Sequence, residues 1–305
     1  MSDLMRTIFV STSCLKQDSD SLSELVEKYR NASIDRIELG YVQGCKRFDI
    51  DRSMKELGIQ FLVHNYFPQS DDRFVLNLAS GDPSLLARSI SLCENAIDIA
   101  AFLGAPYYSV HAGFLAAISP DTLGGKARFD HAIPYDTGYR IFVDSVGRLI
   151  SYAKKKNVEI LIEPNVLTKE NLMEGRNTIA LMCESHELIR LAHSLGSEEI
   201  GILLDTGHLG VTANTLSFDR SRFVYDMLPK IRAIHLHDND GSYDRHEPVR
   251  PGSWVFEVLF NPRLAQVPII LEAKFDSVKA IRRHLDWLAS IVDRHSGTLP
   301  NAHCT

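Results

Sequence analysis

Six apolar runs of this sequence each end in a side chain that can bind a metal ion. Examples are Phe-Leu-Val before His64 and Ile-Leu-Ile before Glu163. A carboxylate buried at the end of such a run is costly unless it is paired or bound to a cation. Several carboxylates on one rim would also repel one another, and a divalent cation among them would relieve that repulsion. The six side chains are His64, His111, Glu163, Asp205, His235 and Glu272.

Two short motifs add further donors. Asp205-Thr-Gly-His208 places His208 just past one apolar run, although an aspartate that caps a helix, followed by a surface histidine, is an alternative. His237 follows His235 by two residues, so both rings face the same side of a strand. The loop after them contains Asp244 and His246, which are either a second pair of ligands or part of a solvated turn.

Each of these residues alone has a more ordinary explanation. A strand-end histidine is commonly a hydrogen-bonded core residue, and a strand-end glutamate commonly pairs with an arginine. The combination favours a shared metal site, because in a barrel the carboxyl ends of all strands meet at one rim.

The elements that must position these residues alternate along the chain. Several of the apolar runs are nearly continuous Val, Ile, Leu and Phe, which is typical of parallel strands buried on both faces. The eight predicted strands are Thr7–Ser11, Arg36–Gly40, Gln60–Asn65, Tyr107–His111, Glu159–Glu163, Gly201–Asp205, Ala233–His237 and Pro268–Ala273. Eight strand–helix repeats predict a closed (β/α)₈ TIM barrel rather than an open sheet.

The segments between the strands predict helices, because apolar residues recur at three- and four-residue spacing. The predicted helices are Ser21–Arg30, Arg52–Leu57, Pro83–Leu103, Arg140–Lys156, Ile179–Leu195, Phe218–Leu228, Trp254–Phe260 and Ser277–Arg294. Three long linkers, 66–82, 112–138 and 165–178, follow the third, fourth and fifth strands. They lie on the side where barrel enzymes build their active sites.

Length and composition set broad limits on the class of protein. The 305 residues show no composition break, so we expect one barrel domain over 1–295 and a C-terminal tail over 296–305. The net charge of −6 argues mildly against a non-specific polyanion binder. Five scattered cysteines, no leader pattern and no apolar stretch of about 20 residues predict a soluble cytoplasmic protein with no membrane span. A homo-oligomer remains open.

The order of the strand-end residues resembles a known superfamily. The pattern His, His, Glu, Asp-x-x-His, His-x-x-Asp, Asp-x-His, Glu is similar to the xylose-isomerase-like barrels, also called the apurinic-endonuclease family 2 fold. The resemblance covers roughly Arg6 to Arg294. One branch of this superfamily contains sugar and sugar-phosphate isomerases and epimerases, and another contains the zinc endonucleases of apurinic-site repair.

The two branches imply different uses of the same residues. Resemblance to the first implies one metal ion held by Glu163, Asp205, His235 and Glu272, with His208 close to the substrate. Resemblance to the second implies three ligand clusters. These clusters are His64, His111 and Glu163; Glu163, Asp205, His235 and Glu272; and His208, Asp244 and His246.

The loops that would touch the substrate depart from the endonuclease pattern. Pro164-Asn165 follows Glu163 where the endonucleases usually have Asn-Thr, and a Gly-Glu-Gly common in both branches is missing after His246. These departures weaken the inference of a DNA-repair function more than the inference of a metal site.

The first functional prediction is a metal-dependent isomerase or epimerase of a sugar or sugar phosphate. A divalent ion would polarise the substrate carbonyl and stabilise an enediolate. Glu163 and Glu272, from the fifth and eighth strands, would remove and return the proton, and His208 or His237 would stabilise the oxyanion. Further candidates for substrate binding are Arg245, Arg250 and Lys274 for a phosphate or carboxylate, and Phe67, Phe114 and Trp254 for the pocket wall.

Two other functions are carried as alternatives. One is an apurinic-site endonuclease or phosphodiesterase with two or three zinc ions, in which a hydroxide attacks phosphorus. The other is a barrel that binds a sugar without converting it. One to three divalent ions are expected, with zinc or manganese favoured, because mixed histidine and carboxylate sites suit such metals. A carbohydrate is the expected partner, and nucleic acid is less favoured because no run of Lys and Arg offers a track for DNA.

Overall fold

Eight parallel strands close into a barrel, as the sequence predicts. The computed structural model describes residues 7–15, 21–42, 50–69, 73–122, 126–127, 129–130, 132–196 and 199–296. Its strands are β1 (Ile8–Ser11), β2 (Arg36–Leu39), β3 (Gln60–His64), β4 (Tyr107–His111), β7 (Glu159–Glu163), β8 (Gly201–Asp205), β9 (Ile231–Leu236) and β10 (Ile269–Leu271). Around the barrel these strands follow the order β1-β10-β9-β8-β7-β4-β3-β2. The TIM-barrel prediction is therefore confirmed.

A layer of apolar side chains fills the barrel beneath the rim. The layer consists of Phe9, Leu62, Tyr107, Leu161, Leu203, Ala233 and Ile270, all buried. Successive side chains of a strand point to opposite faces, so the residue two positions further along points inward again, nearer the carboxyl end. Leu161 thus precedes Glu163, Leu203 precedes Asp205, and Ala233 precedes His235. The apolar layer fixes which residues face the interior and supports the polar layer above it.

Helices surround the barrel. Their bounds are α1 (Leu22–Asn31), α2 (Arg52–Glu56), α3 (Pro83–Leu103), α4 (Tyr135–Lys154), α5 (Ser185–Leu195), α6 (Thr206–Leu216), α7 (Arg220–Met227), α8 (Val255–Leu259) and α9 (Val278–Ser296). Helix α3 has the predicted bounds: the Asp82 side chain accepts a hydrogen bond from the Ser84 amide, and Gly104 ends the helix in the left-handed region.

Two predicted helices have the wrong start, and one helix was not predicted. Helix α4 begins at Tyr135, five residues before the predicted start, and α5 begins at Ser185 rather than Ile179. The predicted 218–228 helix is α7. Helix α6, which follows β8 directly, was not among the predicted helices, and only the alternative of Asp205 as a helix cap pointed to it. Within the linker after β4, two short strands, β5 (Ala117–Ile118) and β6 (Phe129–Asp130), pair antiparallel.

Some predictions fall partly outside the described residues. Ser296 ends α9, and the rest of the predicted tail 296–305 lies outside the described residues. Cys45 and Cys304 also lie outside them. Cys14, Cys93 and Cys183 are buried free thiols. Among the described residues, no helix is long and apolar enough to cross a membrane.

Candidate metal centre

Glu163 lies at the middle of a group of histidines at the carboxyl end of the barrel. Its Oε2 atom is 3.4 Å from His64 Nε2 and 3.5 Å from His111 Nε2. Its Oε1 atom is 3.2 Å from His208 Nδ1 and 3.6 Å from His235 Nδ1. Four histidines from β3, β4, β9 and α6 therefore converge on one carboxylate that the end of β7 supplies.

His235 links Glu163 to two further carboxylates. Its Nδ1 atom lies 3.6 Å from Asp205 Oδ2 and 2.9 Å from Glu272 Oε2. The side chains of Glu163, Asp205, His235 and Glu272, which the sequence predicts as one ligand set, thus surround a common space. We call these four residues the central group.

A second set of side chains lies beside the central group. Asp244 Oδ2 is 3.3 Å from His208 Nε2 and 3.1 Å from His246 Nε2. His237 lies in the same place: its Nε2 atom is 3.9 Å from Asp244 Oδ1, and one donor atom from each of the four lies within 4.8 Å of every other. We call these four residues the outer group. Asp244 and His246 thus face the centre rather than solvent.

Local backbone structure holds these side chains in place. Asp205 ends β8 and also caps α6, because its Oδ1 atom accepts a hydrogen bond from the His208 amide at 2.7 Å. That cap turns His208 back over the rim. Carbonyl oxygens fix two of the rings: His208 Nδ1 faces the Pro164 oxygen at 3.3 Å, and His246 Nδ1 faces the Glu272 oxygen at 3.0 Å. Since a carbonyl only accepts, each ring must carry its proton on Nδ1, and Nε2 is left toward Asp244.

Sequence reasoning missed one residue of the centre, Glu38. Its Oε2 atom accepts a hydrogen bond from His235 Nε2 at 2.9 Å, and both side chains are wholly buried. The available signal was a glutamate between the apolar residues of the predicted strand Arg36–Gly40, which is an expensive residue in a buried strand. The strand-end pattern does not include it, because Glu38 lies inside β2.

Opposite charges shift the pKa values of the central group strongly. Burial raises the pKa of Glu163, but His111, His64 and His235 lower it below its ordinary value on balance. Burial raises the pKa of Asp205, and His208 and His237 outweigh it, so that the net shift is well downward. The carboxyl groups therefore stay ionised although they are buried.

The histidines show the complementary behaviour. Burial lowers the pKa of His235, but Glu38, Glu272 and Glu163 raise it well above its ordinary value. In the same way burial is outweighed at His246, where Asp244 and Glu272 raise the pKa to about 9. His111 is the exception, since burial dominates and lowers its pKa to about 4. Except at His111, each of these shifts favours the charged form of one partner beside the opposite charge of the other.

Unpartnered buried atoms show that these residues fit a metal ion. Both carboxylate oxygens of Glu163 and the Nδ1 atom of His235 are buried without a hydrogen-bond partner. Such orphaned atoms are costly unless something else binds them. Two donors on one tetrahedral zinc lie about 3.3 Å apart, given bond lengths of about 2.0–2.1 Å. The donor separations of 2.9–3.6 Å around His235 match that spacing.

A cavity of about 240 Å³ opens onto the centre. Glu163, Glu272, His64, His111, His208, Asp244 and His246 border it, together with Ser13, Tyr41, Asn65, Tyr66, Phe114, Asn165, Val166 and Lys274. Lys274 is the only lysine or arginine among these lining residues, and its Nζ atom donates to the Ser13 carbonyl at 2.7 Å. A small polar molecule that enters this cavity would meet two glutamates and several imidazoles.

Other predicted substrate contacts lie elsewhere. Arg245 pairs with Asp240 at 3.1 Å and is 50% exposed, and Arg250 pairs with Glu247 at 2.8 Å and is 70% exposed. The Trp254 ring stacks under the Arg220 guanidinium, 4.6 Å away. None of these three side chains borders the cavity. His237 lies beneath it, fully buried, and among the predicted aromatic wall residues only Phe114 lines it.

A family model described as the xylose isomerase-like TIM barrel matches residues 39–291. The chain belongs to this family. A protein named probable endonuclease 4 from Persephonella marina is 25% identical to it over 214 residues, which are 65% of this chain and about two thirds (67%) of that protein.

Solved structures with the same fold also match the chain. The barrel is similar to a solved D-tagatose 3-epimerase-like protein, with a TM-score of 0.72 and 18% identity over 96% of this chain and 100% of that one. It is similar to a family 2 AP endonuclease from Brucella melitensis, with a TM-score of 0.63 and 16% identity over 94% of this chain and 99% of that one. Both likenesses support the family's fold, and the resemblance predicted from the sequence is confirmed.

Proposed function

We propose that this family member is a metal-dependent isomerase or epimerase of a small sugar or sugar phosphate. The observation that supports it most is that Glu163 and Glu272 border the same small cavity, on either side of His235. A divalent ion held by Glu163, Asp205, His235 and Glu272 would polarise a substrate carbonyl and stabilise negative charge on its oxygen. Zinc or manganese fits this donor set best.

The two glutamates have the chemistry of a proton-transfer pair. Both are held ionised, since the pKa values of Glu163 and Glu272 are lowered on balance by the histidines around them. One carboxylate takes the proton from the carbon next to the carbonyl and later passes it to water. The other first takes a proton from water in the cavity and then delivers it to that carbon from the other face, or to the neighbouring carbon. Ser13 Oγ donates to Glu272 Oε1 at 3.1 Å and holds that carboxylate toward the cavity.

The size and charge of the cavity favour a small molecule over a polymer. A space of about 240 Å³ accommodates a monosaccharide. Binding along a nucleic-acid backbone needs several arginines or lysines, whereas the described part of the cavity wall offers Lys274 alone. Lys274 has the charge to bind one phosphate or carboxylate of a substrate.

Solvent exchange tests the proposal directly. The zinc- or manganese-loaded protein is incubated in deuterated water with a panel of ketoses and ketose phosphates, and each sugar is analysed for deuterium at the carbons next to the carbonyl. We expect exchange into one member, and its loss in Glu272→Gln. No exchange with any sugar, together with metal-dependent cleavage of an abasic-site duplex, would reverse the proposal.

Hydrolysis of a phosphodiester, as in an apurinic-site endonuclease, is the second candidate. The observation that favours it is the presence of three donor groups, since His64, His111 and Glu163 also lie close enough together to hold an ion. The relative named probable endonuclease 4 points the same way. The abasic-site duplex in the exchange experiment decides between the two candidates.

A further inference from the structure

His237 is the one member of the outer group that the sequence did not predict as a metal ligand. The sequence suggested it as a contact for substrate, yet its ring is fully buried and lies below the cavity. Its Nε2 atom faces Asp205 Oδ2 at 3.0 Å and Asp244 Oδ1 at 3.9 Å. Asp244 Oδ1 is itself buried without a hydrogen-bond partner.

Neighbouring residues hold the His237 ring in this position. A Cβ atom at Gly207 would lie 1.9 Å from His237 Cε1, so only glycine leaves room for the ring at that turn of α6. Thr206 Oγ1 donates to the His237 carbonyl at 2.7 Å. The ring also stacks on that of His246, with centroids 4.1 Å apart. His237 is therefore oriented by contacts on three sides.

The outer group then contains four protein donors. Carbonyl oxygens leave the Nε2 atoms of His208 and His246 facing Asp244, and His237 Nε2 approaches the same carboxylate. The family resemblance already implies a metal cluster of His208, Asp244 and His246. We propose that His237 supplies a fourth protein donor to this cluster, so that the outer group binds one zinc ion as a closed, tetrahedral site. This inference rests on the metal centre of the proposed function.

A closed site has a different role from an open one. Structural zinc sites are filled by four protein ligands, whereas catalytic sites keep one position for water or substrate. The outer ion therefore joins the loop that contains Asp244 and His246 to the start of α6 and the end of β9. Substrate chemistry is left to the central group, where Glu163 and Glu272 border the cavity.

Metal stoichiometry tests the four-donor site. The chain is stripped with a chelator and reloaded with zinc, and bound zinc is counted by elemental analysis after dialysis. His237→Ala removes the donor, and Gly207→Ala displaces the ring while it keeps every donor. His246→Ala removes a donor that the family resemblance already implies as a metal ligand. His284→Ala is the control, because it removes a partly buried histidine that packs on Phe275 and Trp287 and lies outside the outer group.

We expect at least two zinc ions in the wild type and in His284→Ala, and one fewer in the other three variants. The dissociation constant of that ion should rise by at least about tenfold. Loss of a residue that only hydrogen-bonds to a metal ligand already weakens binding by that factor, so loss of a ligand should weaken it at least as much. The double variant His237→Ala, His246→Ala should lose no more zinc than either single variant. With cobalt in place of zinc, the intense visible absorption of four-coordinate cobalt should weaken in His237→Ala.

Three results would overturn the inference. His237→Ala with wild-type zinc content and cobalt spectrum would make His237 only a hydrogen-bond donor to Asp205. A double variant that loses two ions would assign His237 to a different ion from His246. A wild type that holds a single zinc would remove the outer site and leave a one-metal isomerase intact. Conversely, two bound zinc ions with no sugar exchange would refute the proposed function and leave this site standing.

Discussion

Glu38 Oε2 accepts a hydrogen bond from His235 Nε2 at 2.9 Å, and neither side chain is reached by solvent. Because the proton lies on Nε2, the Nδ1 lone pair points to Glu163, Asp205 and Glu272. Carboxylates in this position orient a histidine ligand and raise its basicity, and their loss commonly weakens metal affinity about 10–100-fold. Glu38 thus selects the tautomer that His235 needs to bind an ion.

The first prediction follows from that contact. Glu38→Gln keeps an acceptor for the Nε2 proton but removes the charge, so metal affinity at the central group should fall about tenfold. Glu38→Leu leaves Nε2 unpaired, so the fall should approach about 100-fold. Competition with a chelating dye measures both. Equal affinities for wild type and Glu38→Leu would show that Glu38 does not position the ligand.

The sequence predicted most of the barrel for a clear physical reason. Runs such as Glu159–Glu163 and Gly201–Asp205 are buried on both sides, so their composition alone marks them as strands, and their bounds agree with β7 and β8. Because the carboxyl ends of all barrel strands meet at one rim, the donors at the strand ends come together. Glu38 was not predicted because it lies within a strand, where no change from apolar to polar residues marks it as part of the rim.

Helix α6 and the outer contacts needed three-dimensional information. Its sequence, Thr206–Leu216, contains two glycines and several β-branched residues, which are poor helix formers. The helix forms because Asp205 caps it and because nine of its eleven residues are buried. Arg245 and Arg250 were predicted to bind substrate but instead pair with Asp240 and Glu247. These pairs depend on the loop geometry, which residue spacing does not reveal.

Removal of two central ligands should abolish metal retention. Asp205→Ala alone should weaken it, and Asp205→Ala, His235→Ala should leave the central group with only two of its four donors. Glu272→Gln, in contrast, should end activity by removing a base. Elemental analysis after dialysis measures the metal. Undiminished metal content at the central group of the double variant would refute the assignment of these ligands.

A tight backbone contact behind His111 should make Gly113 sensitive to substitution. A Cβ atom there would lie 2.5 Å from Ala79 Cβ and 2.8 Å from the Ala79 nitrogen. Gly113→Ala should lower the free energy of unfolding by about 1–3 kcal/mol, the usual cost of overpacking. Urea denaturation measures it.

Gly147 provides the matched control. It lies inside α4, where a Cβ atom would meet only Leu195 Cδ2, at 3.5 Å. Gly147→Ala should therefore raise the free energy of unfolding by about 0.5–1 kcal/mol. If both substitutions have the same effect, the close approach of Gly113 to Ala79 does not matter for stability.

His284 should make the fold sensitive to acid. Burial lowers its pKa to about 4 from an ordinary value of 6.5. Between these values the unfolded chain binds the proton and the folded chain does not, so stability is lost as the pH falls from about 6.5 toward 4. The loss between pH 7 and 5 should be about 1 kcal/mol, after allowance for the solvent that still reaches the ring.

The variant His284→Phe tests this assignment. Phenylalanine fills the space beside Phe275 and Trp287 but cannot bind a proton, so the difference in unfolding free energy between pH 7 and 5 should shrink. His193→Phe, at an exposed position of α5, should keep the wild-type difference. An unchanged difference in His284→Phe would assign the acid sensitivity to other groups.

Metal binding should release protons. The pKa values of His208 and His235 are raised well above the ordinary value, and that of His246 to about 9, since carboxylates surround these rings. An ion can bind a ring nitrogen only after its proton leaves. The apparent metal affinity should therefore rise with pH up to at least about 9, the pKa of His246. Calorimetric titration with zinc in two buffers of different ionisation enthalpy counts the protons, and His246→Gln should reduce both the count and the slope. Binding heats that do not depend on the buffer would contradict this linkage, because the rings would then already be neutral before the ion arrives.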